Sequence, residues 1–412
     1  MSLYFRYKTL DIVELKEMPL TGHERVQPRQ SMLTQAETKT NESFQISDPF
    51  FVRVGKDDYN WTMLIEPPPG INQLISRSYA VFNVSGEEAY PSFEGKAKVK
   101  VAFETGQHMI LGKNVITNTI KTFGLWRFLN YQPAEMFLTK DDEGRWVEVV
   151  KLIHWNGIIF PWPEKGGVLI IPDNSQLSFL QKLKLWVFGI GKWIPPEDIF
   201  KHPFLKGQSI VPAIVERFDA DSFKFDNGFW GPAPFYHMGD VVVSDLSEDS
   251  NEQPFTTYFN FPNEPEKSKL YGYFSFEPYY EPAKGLNASM LYPGDGIGPI
   301  YVYKHYMHGE NYTGVGAVAQ KIQDSRKAYT WQIVRAVENR PYIKIIDGKA
   351  TFFWLSTVVT LNKDNPERFG TGGKPEIAIM NADNDKVYWV NPENPKHWVD
   401  QIINNKKEDS GH

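Results

Sequence analysis

The chain has 412 residues, too many for one ordinary hydrophobic core, so two or three structural units are expected. Hydrophobic residues make up 41% and charged residues 23%, a globular balance, while aromatics at 15% lean the chain toward pleated sheet surfaces. The net charge of -6, with contiguous basic residues only in pairs such as Lys406-Lys407, argues against nucleic-acid partners, and the lack of cysteine excludes disulfides and thiolate chemistry.

The opening residues MSLYFRYKTLDIVELKE contain no continuous apolar stretch of signal-peptide type. Leu3, Phe5 and Tyr7 alternate with Tyr4, Arg6 and Lys8, which predicts a half-buried strand. Residues 21–45 are rich in Gln, Thr, Asn and Glu and read as a long exposed polar arm. Short β runs follow, among them SFQISDPFFVRV, YNWTMLIEPPPG and AKVKVAFE.

Residues 114–129 have helical spacing, and Val115, Ile116, Ile120 and Phe123 can share a face. After them come the strand AEMFL, the turn KDDEG, the strand RWVEVVKLIHW, a Pro/Trp loop IIFPWPEKGG and a short strand VLII. Residues 314–328 repeat the start of that order as a helix, with YTWQIVRAV, PYIKI, an Asp347-Gly348 hairpin turn, KATFFWLSTVVTL, EIAIM and KVYWV behind it. QPAEMFLTKDDEGRWVEVVKLI aligns over RPYIKIIDGKATFFWLSTVV, a weak internal duplication that chance could also produce. In element order, though in no signature motif, 114–172 and 314–391 resemble the cystatin-like and PepSY-like folds. That resemblance implies modules that bind, inhibit or scaffold, and no more. Residues 205–310 between the blocks are irregular and aromatic, and 392–412 form a polar tail.

Four groups of residues invite a chemical reading. His305, His308 and Glu310 have ligand-like spacing, but after the strand-like IYVYK two exposed turn histidines are the simpler reading, and no metal site is assigned. Asp219, Asp221, Asp226 and Asn227 resemble a calcium loop, yet FDADSFKFDNG reads better as a strand ending in an Asn-Gly turn. Tyr273, Glu277, Tyr279, Glu281 and Asp295 combine carboxylates with aromatic platforms, as a carbohydrate site would across 271–303, although an aromatic β surface explains them as well. In 177–194, Leu177, Leu180, Leu183, Trp186 and Val187 can share a helical face, with Lys182, Lys184, Trp186 and Trp193 suited to a lipid surface or a partner. The glycine pairs, including Gly166-Gly167, match no nucleotide motif, and no cofactor is implied.

The expected fold is α+β and β-dominated. It comprises an N-terminal β region (1–110), a first α+β module with a connecting helix (111–200), an aromatic β region (201–310) and a second α+β module with its tail (311–412). The expected function is that of a non-catalytic structural or assembly protein. It would engage other protein subunits, including copies of itself, through aromatic β surfaces and the polar arm. A carbohydrate-binding protein and a peripheral membrane protein anchored by 177–194 are the alternatives.

Overall fold

A computed structural model describes residues 2–18, 24–41, 43–55, 58–88, 90–157, 161–174, 180, 187–228, 241–245, 255–259, 261, 264–278, 288–304, 313–325, 334–360, 375–390 and 402. The chain is α+β with sheet dominant.

The first residues form a short helix, α1 (Ser2–Tyr7), where alternation predicted a strand. Arg6 decides the matter: its guanidinium reaches Asp219 at 2.5 and 2.8 Å across 213 positions of sequence, a tertiary contact that local patterning cannot register. Strand β1 (Ile12–Glu14) then pairs in parallel with a strand some three hundred residues later. The expected exposed arm is folded instead: Arg25, Val26 and Gln27 are buried, and α2 (Arg29–Thr38) turns Met32 and Ala36 inward.

A five-stranded antiparallel sheet follows, made of β2 (Gln45–Ile46), β3 (Phe50–Arg53), β4 (Tyr59–Glu66), β5 (Ala80–Ser85) and β6 (Lys98–Lys100). Trp61, Met63, Ile65 and Phe82 pack with α2, while Phe50, Val52, Leu64 and Val81 pack against the next sheet. Period-2 alternation thus buries both faces of this sheet.

The first helix-plus-meander module begins at α3 (Val115–Phe123), capped by Asn114, whose Oδ1 accepts the Ile116 N–H. Gly124, at φ +73°, ends it and starts the single turn α4 (Leu125–Phe128). Strands β7 (Tyr131–Lys140), β8 (Trp146–Asn156), β9 (Trp162–Pro172) and β10 (Lys192–Ile194) make an antiparallel meander. The expected Pro/Trp loop is the first half of β9. Gly166-Gly167 lies where the β8–β9 register slips by one residue, a bulge inside the strand.

Helix α5 (Ala213–Gly228) occupies the stretch expected to be a strand. Val215, Asp219, Ser222 and Phe223 are buried at helical spacing, and it is the alternation of Phe223 and Phe225 that mimics a strand. The aromatic sheet contains β11 (Val241–Asp245), β12 (Phe255–Phe259), β13 (Lys269–Pro278), β14 (Ala288–Pro293) and β15 (Ile300–Lys304), with β1 on its edge. One face, with Phe274, Phe276 and Met290, lies on α5. The other, with Tyr271, Tyr273 and Tyr301, lies on the second module.

That module is α6 (Val315–Ser325) followed by β16 (Val334–Ile346), β17 (Lys349–Thr360), β18 (Glu376–Asn381) and β19 (Val387–Val390). Val318 and Ile322 of α6 cover Phe352, Trp354, Ala378 and Met380. Val26 covers Phe353, Leu355, Ile377 and Ile379 on the opposite face. Asp347 (φ +53°) and Gly348 (φ +80°) form the expected tight hairpin turn.

Both meanders carry one extra residue on their first strand. In β7 the pairing jumps from Pro133↔Leu152 to Met136↔Val150, and in β16 from Val337↔Thr357 to Arg340↔Leu355. Matching the bulges sets residue 133 over 337, whereas the sequence alignment had set 132 over 340.

Candidate functional site

The residues singled out from the sequence scatter. Tyr273 is a core side chain of the aromatic sheet, and its burial pushes the phenol pKa upward. Asp295, also buried, accepts from Lys269 Nζ (2.6 Å), the Gly207 N–H (2.9 Å) and the Ile297 N–H (3.0 Å), so its carboxylate ties down a loop. Glu277 has a strand position opposite Val242, while Tyr279, Glu281, His305, His308 and Glu310 lie outside the described residues. No platform faces solvent in the described part of that set. Asp219 sits inside α5, bound by Arg6 and by the Tyr292 hydroxyl at 2.8 Å. Of the 177–194 set, Lys182, Lys184 and Trp186 lie outside the described residues. Trp193 belongs to β10, beyond a break at Gly189 (φ +70°) and Gly191 (φ +142°), so no single helical face carries it. Its indole N–H donates to the Gly166 carbonyl at 3.0 Å, and its ring lies edge-on to Phe123 and Tyr131.

The structure instead assembles a cavity of about 470 Å³ at the β7 bulge. The bulge gives Ala134 and Glu135 the space opposite Lys151, and both line the cavity. One Glu135 oxygen accepts the N–H of Ala213, the first residue of α5, at 3.1 Å, so a distant carboxylate caps that helix. The other lies 3.7 Å from Lys151 Nζ. Lys151 is buried behind the cavity and also donates toward Ser209 Oγ (3.4 Å) and the Val211 carbonyl (3.3 Å). Glu216, next inward on α5, is 1% exposed, and neither of its oxygens has a hydrogen-bond partner. Burial pushes its carboxyl well above the ordinary range, with Lys151 opposing only in part; Glu135 is raised in the same way, by burial against the pull of Lys151. Lys151 thus faces two carboxyls raised by burial, Glu216 the more strongly of the two.

The opposite wall is a chain of amides. Asn114 Nδ2 donates to the Gln107 carbonyl (2.9 Å), and Gln107 Nε2 donates to Asp48 (2.5 Å) while its Oε1 accepts the Asp48 N–H (3.0 Å). Arg29 pairs with Asp48 at 3.2 Å. Phe50, Val115, Ile116, Met136, Ile153 and Ile214 make the lining largely apolar, and Arg217, one turn beyond Ala213, adds a cation. Among the described residues the lining includes no Ser, Thr, His or Lys. Among the described residues no group of three or more His, Asp or Glu side chains could hold a metal ion.

The second module handles its bulge differently. Asn339 accepts from Ser356 Oγ (2.6 Å) in the place of the Glu135–Lys151 pair. Glu338 takes the Arg25 guanidinium, and Arg340 donates to the Arg25 carbonyl at 2.6 Å. Arg25 also lies over the Trp61 ring at 4.7 Å. The chain's own residues 24–27 thus cover this bulge.

Sequence reasoning missed Glu135, Lys151 and Glu216. The available signal was Lys151 interrupting the apolar run WVEVVKLI, since a buried cation requires buried partners.

Comparison with known protein families, curated proteins and solved structures finds no match to this chain.

Proposed function

We propose that this protein is a non-catalytic subunit of a protein assembly that docks through the surface formed by α3 and α4. The observation carrying this reading is the exposure of three large apolar side chains within one helical turn: Leu125 at 65%, Trp126 at 84% and Leu129 at 56%. Val187 and Phe188 are also exposed, and Gly189 after them lies against Asn118, Lys121 and Thr122 of α3. At the other end of the helix Leu111 and Ile116 are exposed, and Leu111 holds φ +51°, a strained backbone for a leucine. Large apolar side chains left exposed in such numbers mark docking sites. Tyr271, Tyr273 and Tyr301 of the aromatic sheet and Arg25, Val26, Met32 and Ala36 of the expected arm are buried inside the chain, which favours the α3–α4 surface over those two as the docking face.

Light scattering of wild type and a Trp126→Ser, Leu129→Ser double variant over the micromolar range tests the proposal. The wild type should form a defined species larger than a monomer, and the variant should not. A wild type that stays monomeric at every concentration overturns it. Pelleting with anionic vesicles, lost in the variant, would assign the face to a membrane surface instead.

A further inference from the structure

The loop between β4 and β5 turns its side chains the wrong way for water. Pro67, Pro68 and Pro69 lead into a single 3₁₀ turn (Ile71–Leu74), and the Ser76 N–H closes it on the Asn72 carbonyl at 2.9 Å. Gln73 is buried beneath the turn, where its Nε2 donates to Gln45 Oε1 (3.0 Å) and to the Pro67 carbonyl (3.1 Å). Ile71 and Ile75, four positions apart, are 82% and 83% exposed. A turn facing only water would keep the amide outside and the isoleucines inside. The backbone that presents them is held fast. Consecutive prolines restrict its entry, Lys113 Nζ donates to the Ser76 carbonyl at 2.5 Å, and Arg77 and Lys113 both pair with Glu104.

The exposed charge beside the turn is cationic. Arg77 is half exposed, and Lys100 is exposed opposite Ala80 at the start of β5. Lys98 Nζ lies 5.1 Å from the ring centre of Tyr79, itself exposed. The neighbouring carboxylates, Glu66 and Glu104, are buried. A chain of net charge -6 thus turns an apolar tip with a basic belt outward at this loop.

We infer that the β4–β5 loop rests on a bilayer surface carrying anionic lipid. Ile71 and Ile75 enter the acyl boundary, Tyr79 lies at headgroup level, and Arg77, Lys98 and Lys100 face the lipid charges. Isoleucines that project this far need a partner that flows around them. A bilayer does so, whereas a folded protein must offer a fitted pocket. The inference uses no side chain of the α3–α4 surface and stands whether or not that surface docks a subunit.

Flotation of the full chain with phosphatidylcholine vesicles, with and without phosphatidylserine, tests it. The chain should float with the anionic vesicles and roughly tenfold less, or not at all, with the neutral ones. An Ile71→Ser, Ile75→Ser double variant, altered only at exposed side chains, should lose roughly tenfold or more in partitioning. Lys98→Gln and Lys100→Gln should each lose about fivefold, and the Trp126→Ser, Leu129→Ser variant should partition as the wild type does. The chain has no cysteine, so an environment-sensitive dye on Ile71→Cys reports this turn alone, and its emission should move to shorter wavelength on anionic vesicles. The inference is overturned by absence of flotation, by equal flotation with both lipids, by flotation that survives Ile71→Ser, Ile75→Ser, or by dye emission that does not move.

Discussion

Replacing Glu216 by Gln should make the protein more stable at neutral pH and flatten its stability against pH. Glu216 is buried, its oxygens lack hydrogen-bond partners, and its carboxyl titrates well above the ordinary range because burial penalises the charge. In the unfolded chain the group releases its proton near pH ~4.3, while the folded chain keeps it to higher pH. Between those values the folded state binds one proton more than the unfolded state, so unfolding free energy falls as pH rises. The slope is ~1.4 kcal/mol per pH unit. Glutamine keeps the shape, carries no charge at any pH and removes that slope. Urea unfolding of wild type and Glu216→Gln from about pH 5 to about pH 8 should show two curves that diverge with pH, the variant increasingly the more stable. Other titrating groups are common to both proteins and cancel in the difference. Parallel curves, or a variant less stable throughout, would refute the claim that the Lys151 cluster retains a proton on Glu216.

Three further substitutions probe the frame. Arg25→Met strands Glu338 in the core and should lower unfolding free energy by about 3–5 kcal/mol, read by the urea midpoint. Gly167→Ala sets a Cβ 2.2 Å from the Ile194 carbonyl at φ +81°, and should cost about 3 kcal/mol or more and loosen β10, seen as faster amide exchange over 192–194. Gly348→Ala meets no neighbour within 4 Å but keeps φ +80°, so it should cost only about 1 kcal/mol, through backbone strain alone, and leave the far-ultraviolet dichroism unchanged.

Local chemistry settled a good part of this protein in advance. Helical spacing gave α3, alternation gave most of the strands, and Asp347-Gly348 gave its turn, because each depends on a few neighbouring residues. Where a remote partner outweighs local preference, the same reasoning failed. Arg6 is drawn to Asp219, and a helix stands where Leu3, Phe5 and Tyr7 alternate. Residues 24–27 look like solvent-loving chain, yet Arg25 finds Glu338 and Val26 finds a sheet face. The aromatic run from Tyr271 to Tyr303 suggested a surface, but composition does not tell which side of a sheet will be covered, and here both sides are.

Alternation, helical spacing and turn residues therefore determined the class of fold, the two helix-then-meander blocks and most of their elements, since those properties travel with consecutive side chains. Tertiary structure alone decided the meeting of Glu135, Lys151 and Glu216, the cover over one bulge and the cavity at the other, and the exposure of Trp126. Each is a relation between segments far apart in the chain, set by which surfaces pack together and how much charge the packed interior can neutralise.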